Sequence, residues 1–297
     1  MHGGARSSRK REFGKSERFA ACQSIAPRTW DLPVGVKTIP ANGYELAYVE
    51  KGSGVPVILV HGIGVDYRYF TASMDALATR HRVISISLRH HYPERWDGKG
   101  DYNFPLLASD VVAFIRALNA GPVHLVGHSH GGTVVFFVAR QAPELLRSVT
   151  SAEGMSITSF APKTTDDGAT AAKLQSLFES GDVDGGLQVF VTAIGGSWDK
   201  MPDGTRQSLR DNAWTIYRNS KSLAGIDVPC DSLRPLPMPV LLIQGEKTAP
   251  QFAKTLDNLA LCLSRVERAT IAGATHVLPR THPADFSKVV LDFVSKY

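Results

Sequence analysis

Cysteine is scarce in this chain, with only Cys22, Cys230 and Cys262 among 297 residues. They are odd in number and far apart, and none stands at the C-x-x-C spacing of a zinc or redox site. The expectation is three inert thiols, with no disulfide framework and no metal. Long hydrophobic runs are missing as well. No apolar stretch approaches the roughly 18 residues that suggest a membrane span, so no membrane association is expected. The N-terminal segment lacks the apolar core, about 7 to 15 residues long, of a secretory signal, and Glu12 and Glu17 fit an acid-poor transit peptide badly. A cytoplasmic location follows as the default.

Excess charge is also scarce once the first twenty residues are set aside. The formal net charge is +5, and Arg6, Arg9, Lys10, Arg11, Lys15 and Arg18, against Glu12 and Glu17, supply +4 of it. The remaining +1 offers no extended surface for phosphates, which argues against nucleic acid as a partner. Residues 1–30 read as a basic tail, expected to be disordered. The glycine turns lack the lysine of a phosphate loop, and no G-x-G-x-x-G opens a helix after a strand, so no cofactor is expected.

Composition is otherwise that of a soluble globular protein, with 43% hydrophobic and 21% charged residues. Short apolar runs at 55–61, 82–88, 123–127, 147–152 and 239–244 read as buried strands. Between them, Ala108, Val111, Val112, Ile115 and Leu118 repeat at helical spacing, as do Phe286, Val289, Val290 and Phe293. Alternating strands and helices predict an α/β fold, a mostly parallel sheet with helices on both faces. Asn42-Gly43, between two shorter runs, predicts an antiparallel hairpin at a sheet edge. From 154 to 235 only helical spacing persists, and a proline-rich exit at Pro229, Pro235, Pro237 and Pro239 closes the segment. The organisation expected is a core of 31–153 and 236–297 with a helical insertion at 154–235.

Chemistry concentrates at Gly127-His128-Ser129-His130-Gly131-Gly132, which follows a strand and opens a helix. A G-x-S-x-G turn in that context drives its serine into a sharp corner with the hydroxyl clear of the sheet. A second glycine turn, His61-Gly62-Ile63-Gly64, ends an earlier strand at the same sheet edge. Acyl transfer requires two amide donors for a tetrahedral oxyanion, and the N–H groups of Ile63 and His130 are the candidates. A serine hydroxyl also needs a histidine to take its proton. The side chains of His128 and His130 are expected to turn away from that hydroxyl.

These two motifs resemble those of the α/β-hydrolase superfamily, and the resemblance extends over roughly residues 33–297 by element order. It implies an eight-stranded sheet with its second strand antiparallel, and a helical cap inserted after strand six. It further implies the chain order serine, acid, histidine, which singles out His276, after the turn Gly273-Ala274-Thr275, as the base. The usual acid position follows strand seven in a G-x-x-D turn, which here reads Gly245-Glu246-Lys247-Thr248, with threonine in place of aspartate. Some members, including many haloalkane dehalogenases, carry the acid after strand six, a position that Glu153 resembles. Adjacent strands lie only about 4.8 Å apart, so a carboxylate there can approach the same imidazole. Glu153 is the expected acid and Glu246 the alternative.

The resulting expectation is a serine hydrolase acting on a small-molecule ester, thioester or lactone through an acyl-enzyme. Its substrate-binding residues would include Gly62, Phe160 and Trp214, with Phe178, Phe190, Trp198 and Tyr217 as further aromatics of the cap. Carbon–carbon bond hydrolysis and amide hydrolysis on the same fold remain alternatives. So does a ligand-binding protein with little turnover, a reading prompted by Thr248. Dehalogenase and epoxide hydrolase activities use an aspartate nucleophile, which Ser129 replaces.

Overall fold

A computed structural model describes residue 1 and residues 31–154, 165–222 and 229–297. Nearly all of the basic tail, with Cys22, and the aromatic Phe160 lie outside these residues.

Eight strands form one sheet: β1 (Lys37–Ala41), β2 (Tyr44–Lys51), β3 (Pro56–Val60), β4 (Arg82–Ile86), β5 (Val123–His128), β6 (Leu146–Ala152), β7 (Val240–Gly245) and β8 (Val266–Ile271). Their spatial order is β1-β2-β4-β3-β5-β6-β7-β8. Only β2 runs antiparallel to its neighbours, pairing so with both β1 and β4. The β1–β2 hairpin forms where expected because Asn42 (φ 52) and Gly43 (φ 71) both accept positive φ, which a two-residue hairpin of this twist requires. All five residues of β3 are buried, as are all six of β5. Strands covered on both faces read as continuous apolar runs without alternation, and that is why these runs were visible.

Ten α-helices accompany the sheet among the described residues: α1 (Thr71–Leu77), α2 (Phe104–Leu118), α3 (His130–Gln141), α4 (Thr165–Glu179), α5 (Val183–Ala193), α6 (Asp203–Asp211), α7 (Ala213–Ser222), α8 (Pro250–Cys262), α9 (Leu278–Thr281) and α10 (Pro283–Val294). Helix α2 shows local sequence setting its ends. The Asn103 side chain accepts from Leu106 N–H, Pro105 sits in the first turn, and Asn119 closes the helix in the left-handed region. Helix α1 packs on α10 and α2 on α3. Helices α4 to α7 all fall between β6 and β7, where the sequence expected an insertion. No helix among the described residues is long and apolar enough to cross a membrane.

One expectation is overturned. Cys230 and Cys262 are joined in a disulfide across a separation of 32 residues, with Cα atoms 5.0 Å apart. Cys230 lies in the short turn that leaves the insertion and Cys262 ends α8. Strand β7 carries the chain from one to the other and back, a tertiary proximity that wide spacing in sequence concealed.

Candidate active site

Strand β5 ends by delivering Ser129 to the N-terminus of α3 with φ 53 and ψ −118, a strained conformation for a residue bearing a side chain. Two close approaches hold this corner. A Cβ at Gly127 would collide with the Gly131 carbonyl, and one at Gly131 would collide with the carbonyls of Val60 and His61. Only glycine fits at either position. The Ser129 N–H donates to the Ala152 carbonyl at 2.9 Å, which ties the corner to the end of β6.

Ser129 Oγ lies 2.9 Å from His276 Nε2. On the far side of the imidazole, Nδ1 lies 3.3 Å from Glu153 Oε2. All three residues are buried. With Nδ1 protonated toward the carboxylate, Nε2 presents its lone pair to the serine hydroxyl. Phe252 of α8 stacks on the His276 ring with centroids 4.2 Å apart, fixing the ring plane. Nothing in the sequence pointed to Phe252, because the contact joins α8 to a loop after β8.

Glu153 also has a positive φ, 53, and its N–H donates to the Ile243 carbonyl of β7 at 2.9 Å. Its carboxylate accepts two further hydrogen bonds from the turn after β7. Gly245 N–H donates to Oε1 at 2.7 Å, and Thr248 Oγ1 donates to Oε2 at 2.6 Å. Threonine at the position where the sequence led one to expect an aspartate thus hydrogen-bonds the carboxylate of the neighbouring strand. The alternative acid, Glu246, is exposed and accepts from Gly273 N–H at 2.8 Å, away from His276.

The second glycine turn lies against the first. A Cβ at Gly62 would come within 3.3 Å of Ser129 Cβ and 3.2 Å of His128 Nδ1. His130 is the first residue of α3, so its N–H belongs to the first turn, whose amides have no intrahelical partner. Asp66 anchors the rest of the turn. Fully buried, it accepts from Arg68 through both carboxylate oxygens and from Asn212 Nδ2 at 2.8 Å.

Both histidines flanking Ser129 are buried and neutral, burial pushing each down to about 3. The His128 ring stacks on Tyr69 and donates Nε2–H to the His276 carbonyl at 2.7 Å, so it braces His276 through the backbone. Trp214 packs against Phe178 and Tyr217 and over Gly98, within the insertion and the loop it faces. Among the described residues its ring packs on Phe178 and Tyr217 and not on His276. Among the described residues, no group of three or more His, Cys, Asp or Glu is placed to hold a metal ion.

A family profile described as alpha/beta hydrolase fold matches residues 55–189. The chain is 25% identical over 269 residues to a 2-(acetamidomethylene)succinate hydrolase of Mesorhizobium japonicum, covering 82% of this chain and 90% of that protein. A pimeloyl-[acyl-carrier protein] methyl ester esterase of Aeromonas hydrophila is 26% identical over 256 residues, with 82% of this chain and 96% of the relative covered. Among solved structures, a thermophilic esterase from Thermogutta terrifontis superposes with a TM-score of 0.71 at 20% identity, covering 88% of this chain and 97% of the esterase. The chain has the α/β-hydrolase fold and is similar to hydrolases of that superfamily. Its eight-stranded, mostly parallel sheet is that of the fold, and Ser129 stands at the turn between β5 and α3.

Proposed function

We propose that this hydrolase cleaves a small ester, thioester or lactone through a serine acyl-enzyme. The observation that carries the reading is the unbroken row Ser129 Oγ, His276 Nε2, His276 Nδ1 and Glu153 Oε2, with separations of 2.9 Å and 3.3 Å at its two hydrogen bonds. In the proposed mechanism His276 takes the hydroxyl proton as Ser129 Oγ attacks the carbonyl carbon. The N–H groups of Ile63 and His130 receive the oxyanion, where each such donor is worth about 2.7–4 kcal/mol to the transition state. Glu153 compensates the imidazolium that forms, and His276 then passes its proton to the leaving group. Water repeats the sequence on the acyl-enzyme.

Residues 154–235 serve in this reading as a cap over the site. Its support is the contact between the insertion and the oxyanion turn. A Cβ at Gly64 would meet the side chains of Ile216 and Leu209, and Arg68 pairs with Asp211 of α6 at 2.7 Å. The two curated relatives act, by their names, on a substituted succinate and on a methyl ester. The Cys230–Cys262 link is of a kind that persists in oxidising compartments, which argues against the cytoplasm.

A fluorophosphonate probe and a panel of chromogenic esters test the proposal. Labelling should occur at Ser129 and vanish in Ser129→Ala together with turnover. Wild-type protein that neither labels nor hydrolyses any ester across the acyl lengths would defeat it.

A further inference from the structure

Both nitrogens of the His276 ring are engaged at its edge, Nε2 toward Ser129 Oγ at 2.9 Å and Nδ1 toward Glu153 Oε2 at 3.3 Å. A face of the ring is covered by Phe252, with centroids 4.2 Å apart and planes inclined by 23°. Phe252 stands in the first turn of α8, where its N–H donates to the Ala249 carbonyl at 2.9 Å. The same short segment supplies the Gly245 N–H and the Thr248 hydroxyl that hold the Glu153 carboxylate. Residues 245–252 thus contact both members of the His276–Glu153 pair.

The stacking acts differently before and after a proton reaches the ring. Against a neutral imidazole it is packing. Once His276 carries the Ser129 proton, a cation lies over the negative face of an aromatic ring, well inside the roughly 6 Å within which that attraction counts. His276, Glu153 and Phe252 are all buried, and desolvation strengthens such a contact. The carboxylate leaves room for this help. Its 3.3 Å separation from Nδ1 exceeds the roughly 2.7–2.9 Å of a strong charge-assisted hydrogen bond. The same oxygen is shared with the Thr248 hydroxyl at 2.6 Å. The His128 ring, 5.2 Å away and tilted by 46°, brings no competing charge near neutrality, because burial pushes it down to about 3.

We infer that the Phe252 ring face stabilises the imidazolium formed on His276 in the transition state, so that Phe252 contributes to the chemical step as well as to packing. Interactions that strengthen as charge develops raise kcat, whereas those equal in ground and transition states do not. The inference rests on the serine-hydrolase reading and adds a charge-stabilising residue to its mechanism.

The test replaces Phe252 with mono-, di- and trifluorinated phenylalanine, which keep the shape of the ring while withdrawing charge from its face. On a p-nitrophenyl ester, kcat should fall stepwise with each fluorine, reaching about tenfold at the trifluorinated ring, a loss of about 1.4 kcal/mol. KM and the thermal midpoint should stay close to those of the wild type. The acidic limb of the kcat/KM profile should move to lower pH in the same order, because a less stabilised imidazolium gives up its proton more readily. Phe252→Leu, apolar but without a π face, should lose at least as much. Equal kcat through the fluorinated series, with Ser129 still labelled by fluorophosphonate, would overturn this inference alone and leave Phe252 a packing role. If no ester is turned over, NMR titration of the His276 ring in Ser129→Ala decides separately: a midpoint indifferent to fluorination overturns it.

Discussion

Thr248 Oγ1 donates a 2.6 Å hydrogen bond to Glu153 Oε2, the same oxygen that lies 3.3 Å from His276 Nδ1. In the proposed mechanism the acid stands one strand across the sheet from its usual position, and the threonine at that position orients it. Glu153→Gln should therefore cut kcat on a neutral ester by about 10⁴-fold, the effect of an acid made neutral in such a row. Thr248→Val removes one bond to a charged group and should cost about 10- to 100-fold. Glu246→Gln should leave kcat within about twofold, because surface changes of this kind are usually small. The sharper check is reciprocal: in a Glu153→Ala background, Thr248→Asp should recover part of the lost activity. A Glu246→Gln defect equal to that of Glu153→Gln would reverse the assignment.

Asn212 ties the insertion to the core. Its Nδ2 donates to Asp66 Oδ2 at 2.8 Å and to the Ser208 carbonyl at 2.7 Å, and its Oδ1 accepts from Tyr92 N–H at 2.7 Å. Asn212→Ala leaves a buried carboxylate oxygen and a backbone N–H short of partners. The expected loss is about 2–3 kcal/mol in urea unfolding. KM should rise alongside it as the turn carrying Gly62 and Ile63 loosens.

The disulfide closes a loop of 32 residues that contains β7 and most of α8. Cross-links over loops of this size stabilise by roughly 2–4 kcal/mol. Cys230→Ser, or reduction of the native protein, should lower the thermal midpoint by several degrees, and the two treatments together should lower it no further.

Stability should fall as pH drops below neutrality. Burial holds His61, His128 and His130 at about 3 and His90 and His124 at about 4, with His91 also well below its ordinary value. The unfolded chain takes up protons at these sites near pH 6.5 while the folded chain does not, so stability begins to decline there and continues to decline toward pH 4. Glu94 acts with the opposite sign. Burial raises it to about 7, so it weakens the fold as pH climbs from 4.5 to 7. One such group is outnumbered by six histidines. Urea midpoints at pH 7.5, 6.5, 5.5 and 4.5 should decrease in that order, and a flat profile would contradict the burial pattern.

Local chemistry is what the sequence alone determined. Runs such as Val57 to Val60 must be buried strands because every residue is apolar. Gly127 and Gly131 flag a turn only glycine can make, and Asn42-Gly43 closes a hairpin through its own backbone preference. The positions of Ser129 and His276 follow from such signals combined with element order. Tertiary structure decided the rest, because it depends on which elements become neighbours. Strand order β5-β6-β7 brings Glu153 beside His276 and sets Thr248 on its carboxylate, while Glu246, just two residues earlier in the same turn, points elsewhere. The same folding back pairs Cys230 with Cys262 and stacks Phe252 on His276. No spacing in the chain encodes those contacts, since each joins residues whose proximity is created only when β7 and α8 pack.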